Sequence, residues 1–206
     1  MSVVAAATGH PVWSLIFAAP TVFLISFFRD PDRVPVGGPE TIVSPADGTV
    51  LSIGPAEEAP AGAKRRVTIF MSVFNCHVNR APVSGVLTDY AYTPGKKLAA
   101  FAEKASFENE QNLVTLSAGG ARVAFKQIAG ALARRIIFYL SPGDSVLRGQ
   151  RVGIILFGSR VDLFVPDDAD ILVVKGQKVK ASLTGLARWS VGGASGPPGP
   201  LSAPRI

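Results

Sequence analysis

The sequence is short of the residues on which most acid–base and metal chemistry depends. It contains one cysteine, Cys76, and two histidines, His10 and His77. A single cysteine excludes an internal disulfide and a multi-cysteine zinc site, and so few histidines leave no ordinary three- or four-ligand cluster, so no metal is expected. Aromatic residues make up only 8% and no arginine-rich recognition helix stands out, which argues against nucleic acid as a partner. No lysine or arginine precedes Arg29, so the basic start of a secretory signal peptide is missing. There is no repeat and no Gly-rich phosphate loop of recognised spacing.

What is present points to one β-rich domain. A chain of 206 residues is long enough for a single well-buried core. Hydrophobic residues reach 48%, with a mean hydropathy of +0.31, while 21 Gly and 16 Pro call for many turns and short strands. A mainly β fold with a minor α part fits best. The net charge of +6 suits an acidic partner, and with so few aromatics an anionic lipid surface is favoured.

From Pro11 to Phe28 no charged residue occurs, and the run approaches the roughly 20 residues that span a bilayer. Pro20 in its middle is tolerable in lipid. A core helix should carry a polar face, which this run lacks, so membrane attachment over residues 1–28 is favoured, spanning or interfacial. Arg29 and Arg33 just after it suit a cytoplasmic interface, with the remaining domain inside the cell at the cell membrane. Phe28-Arg29-Asp30-Pro31-Asp32-Arg33 reads as a linker.

Further on, Asp47-Gly48 is a turn signal between apolar runs, although an aspartate there also has the chemistry to orient a histidine or a hydroxyl. His77 is the only imidazole beyond the apolar run, so any acid–base step near neutral pH falls to it unless it is merely structural. Cys76 beside it is a poor dyad partner, because neighbours on a strand point to opposite faces. Val83 to Tyr92 reads as a hairpin around Ser84-Gly85, and Leu113 to Ile128 as a hairpin across Gly119-Gly120. Arg134 and Arg135 are either phosphate contacts or exposed strand positions. Near the end, Gly158-Ser159 interrupts two apolar, β-branched runs, which alone suggests a tight turn.

These stretches acquire meaning together. Phe28-Arg29-Asp30-Pro31, Ser44-Pro45-Ala46-Asp47-Gly48, Phe74-Asn75-Cys76-His77-Val78-Asn79-Arg80-Ala81-Pro82, Glu108-Asn109-Glu110-Gln111-Asn112, Leu132-Ala133-Arg134-Arg135-Ile136 and Phe157-Gly158-Ser159-Arg160-Val161-Asp162 occur in that order. The chain so read resembles the short, pyruvoyl-dependent phosphatidylserine decarboxylase proenzymes. Ser141 to Gly153 also resembles the turn of biotinyl/lipoyl-type hybrid folds, which implies a β-sandwich or barrel-sandwich-hybrid core. The resemblance implies self-cleavage between Gly158 and Ser159, with Ser159 converted to a covalent pyruvoyl group, the cofactor. The two chains of the precursor would stay associated, and the resemblance leaves room for a homo-oligomer. The substrate would be phosphatidylserine, decarboxylated to phosphatidylethanolamine and carbon dioxide. His77 matches the family's first histidine and is the candidate proton donor; Asp47 matches the aspartate that assists processing. Arg80, Arg134 and Arg135 are candidate phosphate contacts.

One departure concerns position 80. Longer relatives carry a second histidine there, completing a triad, whereas Arg80 is never deprotonated near neutrality. Either His77 performs both roles, or strain and Asp47 carry the cleavage. The expected layout is an anchor over 1–28, a decarboxylase domain over 29–189 and a disordered tail over 190–206, whose Gly/Pro-rich composition buries too little to order itself. The competing reading is a non-catalytic carrier or lipid-binding module of hybrid-barrel type, modified at His77 or Lys175.

Overall fold

The computed structural model describes residues 11–56, 63, 65–95, 109–130, 135–156 and 159–189, with backbone alone for 11–15. Gly158, Arg134 and the expected tail over 190–206 lie outside them. The fold is mainly β, as expected, with a single helix among the described residues. Helix α1 (Pro11–Phe27) occupies the apolar run. Strands β1 (Thr41–Val43), β2 (Gly48–Pro55), β3 (Arg65–Met71), β4 (Val78–Arg80) and β5 (Gly85–Thr93) follow. Then come β6 (Gln111–Ala118), β7 (Ala121–Ala129), β8 (Ile136–Phe138), β9 (Ser145–Val146) and β10 (Arg151–Ile155). The last are β11 (Ser159–Val165), β12 (Asp170–Ile171), β13 (Lys178–Val179) and β14 (Gly185–Arg188).

An eight-stranded curled sheet runs in the order β13-β2-β3-β11-β7-β6-β5-β9, beside two three-stranded sheets, β4-β10-β8 and β1-β14-β12. Its centre is β11, antiparallel to β3 on one side and β7 on the other, with every residue buried. A strand covered on both faces is written as a near-continuous apolar run, as Val161, Leu163, Phe164 and Val165 are here. Val50, Ile69, Leu116 and Phe125 from neighbouring strands complete the packing.

The strands flanking position 158 belong to different sheets: β10 pairs with β4 and β8, β11 with β3 and β7. Gly158 of the expected tight turn lies outside the described residues, but β10 and β11 do not pair as a hairpin. The connection is a crossover, and it delivers Ser159 as the first residue of the central strand. Asp47-Gly48 is likewise no hairpin turn, since β1 and β2 lie in separate sheets. A Cβ on Gly48 would collide with the Phe70 carbonyl and Ile69, so this glycine serves close strand approach. Gly85 does the same against the Ser117 carbonyl, and the expected hairpin around Ser84-Gly85 is corrected: the chain bends at 82–84 and then runs as the single strand β5. Gly119 and Gly120, by contrast, form the expected two-residue turn, with φ of 57° and 87°.

Residues 28–33, read as a linker, instead begin a strap over 28–40 that is pinned by arginines. Arg80 donates to the Asp30 carboxylate at 2.9 Å and to the Pro31 carbonyl at 2.8 Å. Arg151 bonds Asp30 and Asp32, and Arg148 donates to the carbonyls of Gly37, Gly38 and Thr41. Arg33 pairs with Asp47.

On β11, Arg160 and Asp162 lie on one face two residues apart and form a buried bidentate pair at 2.7 and 2.9 Å. Asp162→Ala would leave the guanidinium buried without its carboxylate. The expected loss is about 3–5 kcal/mol, read from the urea midpoint of the folded protein.

Candidate active site

Ser159 is fully buried. Its neighbours across the sheet are Met71 and Ala129, and its hydroxyl donates to the Met71 sulfur at 3.3 Å. Behind that sulfur stands a ladder of buried amides. Asn112 Nδ2 donates to Gln127 Oε1 at 2.8 Å, Gln127 Nε2 to Asn79 Oδ1 at 2.7 Å, and Asn79 Nδ2 to Met71 Sδ at 3.7 Å. Gly153 lies beside it: a Cβ there would collide with the Ile137 carbonyl of β8 and reach to 3.4 Å from Gln127 Nε2.

His77 precedes Asn79 by two residues, the spacing that puts side chains of an extended chain on one side. Its carbonyl accepts from the Ile155 amide at 3.4 Å, tying it to the end of β10 just before the crossover. Nδ1 lies 2.9 Å from the Asn75 carbonyl. A carbonyl can only accept, so Nδ1 carries the proton and the neutral ring presents a bare Nε2. That Nε2 is buried and has no hydrogen-bond partner among the described residues. Burial drives the His77 pKa below its ordinary value, with Arg29 adding to the effect, while the Asn75 contact and the Asp47 charge oppose it. The ring is therefore an uncharged base near neutrality.

Phe27, the last residue of α1, packs on His77 with ring centroids 4.2 Å apart. Arg29 fastens the helix end, donating to the Ser26 carbonyl at 2.6 Å and the Phe74 carbonyl at 2.8 Å. The apolar run thus closes directly over the imidazole. Cys76 is buried, donates its thiol to the Arg29 carbonyl at 3.2 Å, and is pushed up in pKa by desolvation. It is a neutral packing group, not a thiolate.

Asp47 does not touch His77. Arg33 engages both carboxylate oxygens, and the Ala181 amide donates to Oδ1 at 2.8 Å. Its influence on the imidazole is through its field alone. Arg80, in the place of a second histidine, is buried and spent on Asp30, Pro31 and the Gly149 carbonyl. In this structure it clasps the strap.

A family model described as phosphatidylserine decarboxylase matches residues 21–187, most of the chain. The phosphatidylserine decarboxylase proenzyme of Trichlorobacter lovleyi is 51% identical over 168 residues, 81% of this chain and 77% of that protein. The proenzyme of the same name from Geobacter sulfurreducens is 44% identical over 190 residues, covering 89% and 87%. That from Citrifermentans bemidjiense is 48% identical over 180 residues, covering 86% and 82%. The chain belongs to the phosphatidylserine decarboxylase family.

Within this phosphatidylserine decarboxylase fold the remaining candidate is Arg135. It is exposed, and its carbonyl accepts from the Leu156 amide at 3.2 Å, so it stands beside the crossover that leads to Ser159. Several members of the site were not singled out from sequence: Met71, Asn112, Gln127, and Phe27 as the partner of His77. A faint signal existed in Asn112 and Gln127, which are amides at mid-strand positions that otherwise ask for apolar side chains.

Proposed function

We propose that this chain is a self-processing phosphatidylserine decarboxylase whose prosthetic group is made from Ser159. The observation that carries this reading is a wholly buried serine hydroxyl at the start of the central strand, in a fold that also buries an imidazole with a bare Nε2. In the cleavage, Ser159 Oγ adds to the Gly158 carbonyl carbon as His77 Nε2 takes the hydroxyl proton. The C–N bond then breaks, the proton passes to the freed amine, and an ester remains. Loss of the Ser159 Cα proton breaks the Cβ–Oγ bond and releases Gly158 as a carboxylate. Water then displaces ammonia, leaving a pyruvoyl group at position 159.

The residues present fit that group: the former Cβ would face the Met71 sulfur and Ala129, neighbours that accept a methyl. A pyruvoyl carbonyl supplies an electron sink for decarboxylation. His77, alternately bare and protonated at Nε2, returns a proton to the carbon that has lost carbon dioxide. Arg135 meets the lipid phosphate. Asp47 holds Arg33 and contributes a negative field. Phe27 keeps water off the imidazole.

The docking surface in this reading is α1. Among the described residues no helix is long and apolar enough to cross a membrane. Yet α1 exposes Ile16, Val22, Leu24 and Ile25 (70%), and Phe28 and Phe74 (74%) continue the apolar surface. An apolar face of this kind lies in the headgroup boundary of an anionic bilayer, aided by the basic charge of the chain. Purified protein is expected to release carbon dioxide from phosphatidylserine vesicles. The double change Ile25→Asp and Phe28→Asp should cut that turnover by about tenfold or more, while leaving turnover of a monomeric short-chain phosphatidylserine nearly unchanged. Equal losses on both substrates would overturn the docking role, and no release by the unaltered protein would overturn the enzymatic reading.

A further inference from the structure

We propose that Met71 is the positioning residue for self-cleavage, holding the Ser159 hydroxyl through its thioether while the ladder Asn112–Gln127–Asn79 holds Met71. The proposal rests on the reading of Gly158–Ser159 as the bond the chain cuts. Met71, Ser159 and all three amides are buried at 2% exposure or less. Every link in the ladder donates in the same direction, so two donors converge on one sulfur: Asn79 Nδ2 and Ser159 Oγ. A methionine side chain left to itself samples several rotamers. Here the strand pairing places it directly opposite Ser159, and the amide ladder fixes its end.

Sulfur suits this position for a reason tied to the reaction. A thioether is a weak acceptor, so it aims the hydroxyl without retaining its proton against a stronger base. An amide or carboxylate oxygen in the same place would hold the hydroxyl through a bond that must break before proton transfer. The position also has to serve the product. Once Oγ has left with Gly158, the former Cβ is a methyl, and a hard oxygen acceptor would remain buried and unpaired. A thioether takes a hydroxyl before the reaction and a methyl after it, with neither state leaving an unsatisfied group. Among the described residues Asn112 Oδ1 has no hydrogen-bond partner, so the ladder as described begins at Asn112 and runs toward Met71.

The sequence offers a direct test, because its two methionines are Met1 and Met71. Replacing methionine globally by norleucine removes a single thioether from the described fold without changing side-chain shape. Freshly translated precursor is followed by intact mass as it cleaves. The norleucine chain is expected to cleave about fivefold more slowly, the loss of one weak hydrogen bond in the reactive geometry. Selenomethionine, which keeps a soft acceptor, should restore the rate to within about twofold. Met71→Leu should be slowed as norleucine is, with a thermal midpoint unchanged from the parent precursor. A norleucine chain that cleaves at the methionine rate would overturn the proposal, as would equal slowing by norleucine and selenomethionine. Absence of cleavage in the unaltered chain would remove the underlying reading instead.

Discussion

Ser159→Ala is expected to leave a single uncleaved chain that releases no carbon dioxide from phosphatidylserine. The loss should be complete, because one oxygen atom is both the nucleophile that opens the peptide bond and the leaving atom that creates the prosthetic group. Alanine supplies neither. The fold itself should survive. The hydroxyl's partner is the Met71 sulfur, a weak acceptor, so its removal costs about 1 kcal/mol or less. The alanine methyl fits where the hydroxymethyl stood, and β11 keeps its pairing on both sides. Intact mass spectrometry of the purified variant checks this. Two fragments breaking between residues 158 and 159, in a protein lacking the hydroxyl, would show that Ser159 is not the nucleophile.

The second large effect is expected at His77. His77→Ala removes the base proposed for both steps, and loss of a positioned acid–base group lowers rates by about 10²–10⁴. The two steps separate experimentally: precursor cleavage is followed by mass, and carbon dioxide release is normalised to whatever fraction has cleaved. Turnover retained in the cleaved fraction would refute His77 as the proton donor. The pH dependence follows from the direction of its shift. Desolvation holds its pKa below the ordinary histidine value, so the neutral form persists as pH falls past that value. Cleavage should therefore stay on its plateau below pH 6.5 and decline only at more acidic values. The same shift makes the unfolded chain the better proton acceptor. The His77 contribution to stability is thus fully present above the ordinary pKa and is lost as pH falls from there through the lower folded-state value.

The family was legible in the sequence because the ordered motifs carry it, and the same motifs name His77, Asp47 and the Gly158-Ser159 pair as candidates. The apolar run announced α1, and the β-branched runs announced β10 and β11. What failed was the local meaning of glycine. Gly48, Gly85 and Gly119 look alike in a sequence, yet two of them admit a neighbouring strand and one turns the chain. Only strand pairing distinguishes these, and pairing is a long-range property. The strap was misread for a related reason. Balanced charges between Arg29 and Arg33 look solvated until Arg80 and Arg151 are brought from far along the chain to meet Asp30. The amide ladder left only the faint signal of amides within strands, because its members come from β4, β6 and β7 and no spacing along the chain relates them. Arg80 belongs to the same long-range set, since it holds Pro31 in the strap that follows Phe27, the residue packed on His77.

The interleaving of the strands bears on the life of the cut protein. Beyond position 158 the chain contributes β11 between β3 and β7, β13 against β2, and β14 against β1. Before the cut, all of these meet within one covalent molecule, and recovery from unfolding is a first-order event. Afterwards the same ladders join two separate polypeptides, and regaining them requires an encounter whose rate depends on concentration. Ser159 would thus commit the protein in time as well as in chemistry. The chain can assemble this sheet easily once, as a precursor, and thereafter endures by not coming apart.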